Sequence, residues 1–160
     1  MRKYFNRSGE LLTEKNWFLP KDEKYFDEHG EPLWDKWIMF GDQDGFDTRH
    51  KTASGTYIER IVLPKGKIIS RYGPEHGTYT TDQGGRYDDL SLPYVMTSVP
   101  YHEYIVMEEC EVDCVVDRGV AAPGFDSAGG GVQYKHCASI HDLVFQDVLK
   151  EDYSWLRQEL

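Results

Sequence analysis

The 160-residue chain has little cysteine, a deficit of positive charge and no long apolar run, and each shortage excludes something. Three cysteines make no disulfide framework, and a chain of this length buries about two thirds of its unfolded surface without one. Cys110 and Cys114 lie in a segment that alternates like a strand through Val112, Val115 and Val116, while Cys137 stands alone, so no second pair completes a zinc site. Against 28 acids stand 18 Lys and Arg, a net charge of −10. Such a surface repels phosphate polymers and anionic bilayers over about 8 Å at physiological salt, which excludes nucleic acid and membrane as partners. A small anionic ligand stays open to it, because a few arginines gathered locally are enough. No stretch approaches the roughly 18 apolar residues of a membrane helix, and no apolar segment after Met1-Arg2-Lys3-Tyr4 reads as a signal peptide, so a soluble chain is expected. Asp42 to Asp47 has the look of a calcium loop, but Ala53 stands where the closing glutamate belongs, and no metal is expected.

What the chain does have is aromatics, 11 Tyr and 4 Trp among them, and an ordered series of short motifs. Residues 1–55 are polar and aromatic with little periodicity, as in Asn16-Trp17-Phe18-Leu19-Pro20 and Leu33-Trp34-Asp35-Lys36-Trp37. They read as an N-terminal extension of anchored loops packing on the rest, with room for one short helix. From Thr56 the pattern becomes strand. Tyr57 to Leu63 alternates, Pro64-Lys65-Gly66 is a turn and Lys67 to Gly73 is a second strand, which together predict a hairpin. Short strands follow at His76 to Thr81, Tyr101 to Met107 and Glu111 to Val116, then a long loop from Gly119 to Gly131. Ser139 to Leu149 carries a serine N-cap, an early Asp142 and apolar residues at helix spacing, which predicts one amphipathic helix. The fold class expected is α+β: a β-rich single domain with a small twisted antiparallel sheet core, an irregular N-terminal region and a short C-terminal helix, residues 56–160 forming the main unit.

Three consecutive glycines, Gly129-Gly130-Gly131, lead directly into Val132-Gln133-Tyr134. Glycine runs are costly in regular structure and are kept where backbone turns sharply or lies close to a ligand. Gln133 donates and accepts without carrying charge, which suits a sugar hydroxyl or a ribose. Arg71 closes its strand just before Tyr72-Gly73-Pro74, where its planar fork matches two phosphate oxygens, although a surface ion pair is the commoner role of such a residue. His102 alternates with Tyr104 on one strand face, and Tyr79 follows Gly77-Thr78; taken singly, both read as structural residues.

Together these residues fall into an order. Leu63-Pro64-x-Gly66, Arg71-Tyr72-Gly73, Gly77-x-Tyr79, Ser91-Leu92-Pro93, Tyr101-His102-x-Tyr104 and Ala122-Pro123-x-Phe125, ending in Gly129 to Tyr134, resemble the TNT domain family, the tuberculosis necrotizing toxin type of NAD-cleaving toxin. The resemblance runs from about residue 56 to 150 and makes 56–160 a TNT-like catalytic domain. It implies hydrolysis of NAD to nicotinamide and ADP-ribose, with NAD+ or NADP+ as substrate and no cofactor. It also implies secretion or delivery into the cytoplasm of a target cell, and a cognate immunity protein. The family's functional arginine, aromatic, histidine and glutamine fall on Arg71, Tyr79, His102 and Gln133. Tyr72, Gly73, Arg86, Phe125, Gly130, Gly131 and Tyr134 are the expected substrate contacts. One departure stands out: Leu90 occupies the place of a family arginine two residues before Leu92-Pro93, with Arg86 the nearest substitute. An ADP-ribosyl transferase or cyclase, a ribonuclease toxin and a non-catalytic binding domain are the alternatives. The chemistry fits few ionisable groups, since nicotinamide is already cationic and departs neutral, unlike the leaving oxygen of most glycosides. Such a site has to hold the pyrophosphate, orient the ribose, stabilise an oxocarbenium-like transition state and admit one water.

Overall fold

A computed structural model describes residues 22–29, 31–73, 75–86, 89–92, 101–107 and 114–154. Seven short strands rich in β-branched and aromatic residues make the sheet: β1 (Ile58–Val62), β2 (Ile68–Tyr72), β3 (Tyr79–Asp82), β4 (Tyr101–Val106), β5 (Val115–Val120), β6 (Val132–His136) and β7 (Leu149–Asp152). Their order is β1-β5-β6-β3-β2-β4-β7, and every pairing is antiparallel. Two short helices, α1 (Trp34–Trp37) and α2 (Ile140–Phe145), and a single 3-10 turn at Glu23–Tyr25 complete the described elements. The β-rich expectation holds.

The predicted hairpin does not form. β1 pairs with β5 and β2 with β3 and β4, so the two strands flanking Pro64-Lys65-Gly66 stand four places apart in the sheet. Charge complementarity distinguishes the observed partner: Glu59 lies opposite Arg118 and Arg60 opposite Asp117, with side-chain contacts of 3.0 Å and 3.4 Å. Exposed pairs of this kind add little stability, but opposite charges across a strand pair favour one register. The connecting turn then does something else. The Leu63 amide donates to the Cys114 carbonyl at 2.9 Å and the Gly66 amide to the Val106 carbonyl at 2.8 Å. In a flat sheet β1 and β2 would lie about 19 Å apart, whereas the four residues from Leu63 to Lys67, bonded at one end to Cys114 and at the other to Val106, reach at most about 14 Å. The sheet is therefore curled, and β3 is where the two halves meet: Tyr79 and Thr80 pair with β6, Thr81 and Asp82 with β2.

The curl encloses one core. Leu63, Ile69, Tyr104, Val106, Val116, Tyr134 and Leu149 meet Ile140 and Leu143 of α2, all nearly inaccessible to solvent. Each aliphatic side chain so buried contributes about 1.5–3 kcal/mol. α2 begins where the sequence predicts, with Ser139 accepting the Asp142 amide at 3.1 Å. It ends four residues earlier than predicted because Asp147 turns left-handed (φ 60°) and Leu149 enters β7. β5 also runs later than expected, taking in Gly119 and Val120; residues 111–113 of the predicted strand, like Cys110, lie outside the described residues. Glycine is required at 119 because a Cβ there would meet the Phe46 ring at 2.5 Å. The N-terminal third is seated on the opposite face of β5 and β6, where Phe46 lies against Gly119 and Asp44 against Gln133 and Lys135; Phe46 bridges to Ala121 and Ile38 to Gly124, and Tyr25, Phe46 and Asp47 are buried.

His136 in β6 is buried with Nε2 2.7 Å from the Thr80 hydroxyl. Burial, helped by the nearby charge of Arg71, pulls its pKa down to about 4. The unfolded chain takes up this proton below about pH 6.5, whereas the folded chain does so only near 4. Stability is therefore expected to fall as pH drops through that window, by an amount of the order of 3 kcal/mol for this residue. Thermal midpoints at a series of pH values check it. His136→Gln should flatten the dependence, and an unchanged slope would contradict the assignment.

Candidate active site

A cavity of about 730 Å³ opens beside the β2–β3 junction, within the range of small-molecule sites. Arg71 and Tyr72 from β2, Tyr79 to Thr81 from β3 and Gln133 from β6 line one side. Leu90 to Leu92, Trp34, Asp35, Ile38 and Gly41 to Gly45 line the other.

Arg71 ends β2, and its Nη1 donates to the Tyr79 carbonyl at 2.8 Å. The rest of the guanidinium lies flat against Gly77, where a Cβ would sit 2.1 Å from Nη2. That contact gives Gly77-x-Tyr79 its physical reason: the glycine is the seat of the guanidinium. The loop carrying it is pinned from below. The Glu75 carbonyl accepts from His141 at 2.7 Å, Gly77 from Ile140 at 2.9 Å and Thr78 from His136 at 2.8 Å. Burial lowers the pKa of Arg71, partly offset by Tyr104 and Glu75 nearby. An arginine keeps its proton regardless, so this is a desolvated cation beside a cavity, which favours an anionic ligand.

Gln133 is half-buried, and its Nε2 donates to the Asp44 carbonyl at 3.0 Å. This bond anchors the amide on the loop through one of its two N–H donors and leaves the carbonyl oxygen open to a ligand donor. The loop is itself braced. One Asp42 carboxylate oxygen accepts the amides of Asp44 at 2.9 Å and Phe46 at 3.0 Å, and Lys135 pairs with the Asp44 carboxylate at 2.9 Å. The stretch with the look of a calcium loop is thus a cavity wall whose carboxylates are hydrogen-bonded internally. Asp47, next along, is held below the usual carboxylate range by its hydrogen bonds from Arg49. Tyr79 also lines the cavity, and burial with the Asp44 charge raises its pKa, so it presents a neutral phenol.

Other predicted site residues fall elsewhere. His102 is not in the lining. It stands opposite Arg71 in the β2–β4 register, its Nδ1 donating to Glu151 at 2.8 Å and its ring stacked on Tyr104 at 6.0 Å. Its Nε2 is buried with no hydrogen-bond partner among the described residues. Tyr72 does line the cavity, its hydroxyl donating to Gly85 at 2.9 Å, but the adjoining Gly73 does not. Phe125 is core, edge-on to Tyr25 and Trp34, and Tyr134 is core with its hydroxyl on Asp82 at 2.6 Å. The close approach expected of the glycine run is made to the chain's own backbone. A Cβ at Gly129 would meet the Ala121 carbonyl at 2.7 Å and one at Gly131 the Asp89 carbonyl at 2.9 Å, and neither Gly130 nor Gly131 lines the cavity. Leu90 does line it, whereas Arg86 is exposed and outside the lining, so it makes no substitute for the family arginine there.

Trp34, Asp35 and Asp44 line the cavity although the sequence reading gave them no place at the site, and Glu75 and Glu151 carried no signal there. Glu75, His102 and Glu151 bring their ligating atoms within 4.8 Å of one another, the one cluster with metal-ligand spacing among the described residues. Within it His102 is hydrogen-bonded to Glu151, and Glu75 accepts from Tyr104.

Fold and site define a curled antiparallel domain with a cavity lined by a desolvated arginine, a neutral tyrosine and a half-buried glutamine. The model of the family described as tuberculosis necrotizing toxin (TNT) matches residues 62–151, and the chain belongs to that family. It is 30% identical over 100 residues to the conidial surface nicotinamide adenine dinucleotide glycohydrolase nadA of Aspergillus fumigatus. That match covers 58% of this chain, which spans 41% of the relative's length. The solved structure of tuberculosis necrotizing toxin complexed with its immunity factor IFT superposes with a TM-score of 0.54 at 15% identity, covering 93% of this chain and 90% of that one, and so shares the fold.

Proposed function

We propose that the chain is an NAD+ or NADP+ glycohydrolase of the toxin type, hydrolysing the bond between nicotinamide and ribose and so depleting the NAD of a target cell. The observation that carries this is the convergence of Arg71, Tyr79 and Gln133, three of the family's functional positions, on one cavity. Arg71 holds the pyrophosphate with a charge-assisted fork. Gln133, its donor end fixed by Asp44, accepts from the ribose hydroxyls or from the attacking water. The neutral rings of Tyr79 and Trp34 flank the flat groups of the dinucleotide. Nicotinamide leaves with both electrons of the glycosidic bond, becoming neutral, and water adds to the ribose carbon and loses one proton to solvent. No leaving-group acid is required, in keeping with a lining in which Asp42 and Asp44 are held by other groups.

NAD is then a substrate and no cofactor takes part. A cognate immunity protein that covers the cleft, and delivery into the cytoplasm of another cell, belong to the same reading; the structural neighbour was solved with its immunity factor. The test is turnover in heavy-oxygen water. ADP-ribose carrying one heavy oxygen per nicotinamide released supports hydrolysis, whereas cyclic ADP-ribose or an ADP-ribosylated protein would replace it with a cyclase or transferase.

A further inference from the structure

Gln133 and Lys135 stand two residues apart on β6 and so share one face of the sheet. Both reach the same residue of the Asp42 turn. Gln133 Nε2 donates to the Asp44 carbonyl at 3.0 Å, and Lys135 Nζ donates to the Asp44 carboxylate at 2.9 Å. One bond leaves a loop residue free to swivel, whereas two, to its main chain and its side chain, fix its orientation. The turn is closed from its other side by Asp42. Its Oδ1 accepts the amides of Asp44 at 2.9 Å and Phe46 at 3.0 Å, its carbonyl accepts from Gly45 at 3.0 Å, and its amide donates to the Phe46 carbonyl at 3.0 Å. Gly45, at φ 80°, brings bare backbone alongside the glutamine, since a Cβ there would stand 3.9 Å from both Nε2 and Oε1. The Gly45 carbonyl in turn accepts from Ala122 at 2.9 Å, and the Phe46 ring is buried. Lys135 is absent from the cavity lining, so whatever it does for a ligand it does through Asp44.

We propose that Lys135 and Asp42 are positioning residues for Gln133, acting through Asp44 by holding its carbonyl where it fixes the glutamine amide. This rests on the reading of Gln133 as the group that meets the ribose or the attacking water. An amide free to turn about its last side-chain bond presents its NH2 and its C=O to the same point in succession. With Nε2 held on the Asp44 carbonyl, Oε1 is kept as the acceptor. Loss of the hold therefore acts on orientation and not on capture, which Arg71 supplies. The Lys135 and Asp44 side chains are 34% and 30% exposed, so their ion pair adds little to folding. Its effect on turnover is larger, because a displacement of about 1 Å at a reacting centre costs up to about a hundredfold.

The experiment is steady-state NAD hydrolysis by the wild-type chain, Lys135→Met, Lys135→Arg, Asp42→Ala and Asp42→Asn. Beside it, the Gln133 side-chain amide is followed by NMR, assigned by its absence from Gln133→Ala. Lys135→Met and Asp42→Ala should each lower kcat by about 10–100-fold with KM within about twofold of the wild type. Lys135→Arg, which keeps the charge and donors, and Asp42→Asn, which keeps the accepting oxygen, should recover most of that loss. On the Gln133→Ala background Lys135→Met should add almost nothing. A loss confined to KM, or additive losses in that double variant, overturns the proposal, and the lysine variants decide it even where Asp42→Ala does not fold. If folded wild-type protein hydrolyses no NAD, the functional reading fails by itself. The positioning is then read from the Gln133 amide alone. Slow N–H exchange in the wild type and fast exchange in Lys135→Met supports it, and equal rates in the two overturn it.

Discussion

Gln133→Ala is expected to lower the rate of nicotinamide release by at least about a hundredfold while leaving the fold in place. Gln133 is half-buried on β6 and its one side-chain hydrogen bond runs to the Asp44 carbonyl, so it contributes little packing and a great deal of orientation. Losing a fixed polar group at a reacting centre costs about 10²–10³ in turnover, whereas losing one half-exposed hydrogen bond costs about 1 kcal/mol of stability. Initial rates and thermal midpoints measured together check both halves. Gln133→Glu is the sharper companion, since a carboxylate in place of Nε2 meets the Asp44 carbonyl with no proton to share. It should be as inactive as the alanine variant. Full turnover in either protein would place the reacting centre elsewhere in the cavity.

The second large effect lies at a residue that touches no ligand in the proposed reaction. Gly77→Ala sets a methyl group 2.1 Å from Arg71 Nη2 and 2.6 Å from Cζ, well inside contact distance. The displaced atoms are the far end of a flexible side chain, and Gly77 is absent from the positive-φ positions, so the backbone accepts alanine. Stability should change by less than about 1 kcal/mol. The guanidinium, however, must leave its seat and its bond to Tyr79. A loss of about 10–100-fold in kcat/KM is expected, mostly as raised KM if Arg71 grips ground state and transition state alike. A double-mutant cycle with Arg71→Ala makes this decisive: with the guanidinium gone, Gly77→Ala should add almost nothing. Additive losses would show that the glycine serves another purpose.

Local signals in the sequence were read correctly where the physics is local. Ser139 capping its helix, strand alternation around Arg71 and His102, and the position of Gln133 on a strand all depend on neighbours within a few residues. The hairpin failed because β1 found charge complementarity on β5, some 57 residues along, and nothing in Pro64-Lys65-Gly66 reveals that choice. The glycine run pointed to a close backbone approach and one exists, but to Ala121 and Asp89, and periodicity does not say what approaches. The Asp42 turn was visible and set aside because it lacked a calcium ligand; its task is to hold a backbone carbonyl against Gln133. Glu75 and Glu151 carried no signal at all. They are separated by most of the domain in sequence and meet only because β7 lies beside β4.

The account stands most directly on one assay. The purified chain is incubated with NAD, and nicotinamide and ADP-ribose are followed by chromatography. Release of the two in equal amounts by the wild-type chain, with Gln133→Ala folded and inert beside it, is the predicted result. Intact NAD in the presence of folded wild-type protein would contradict it.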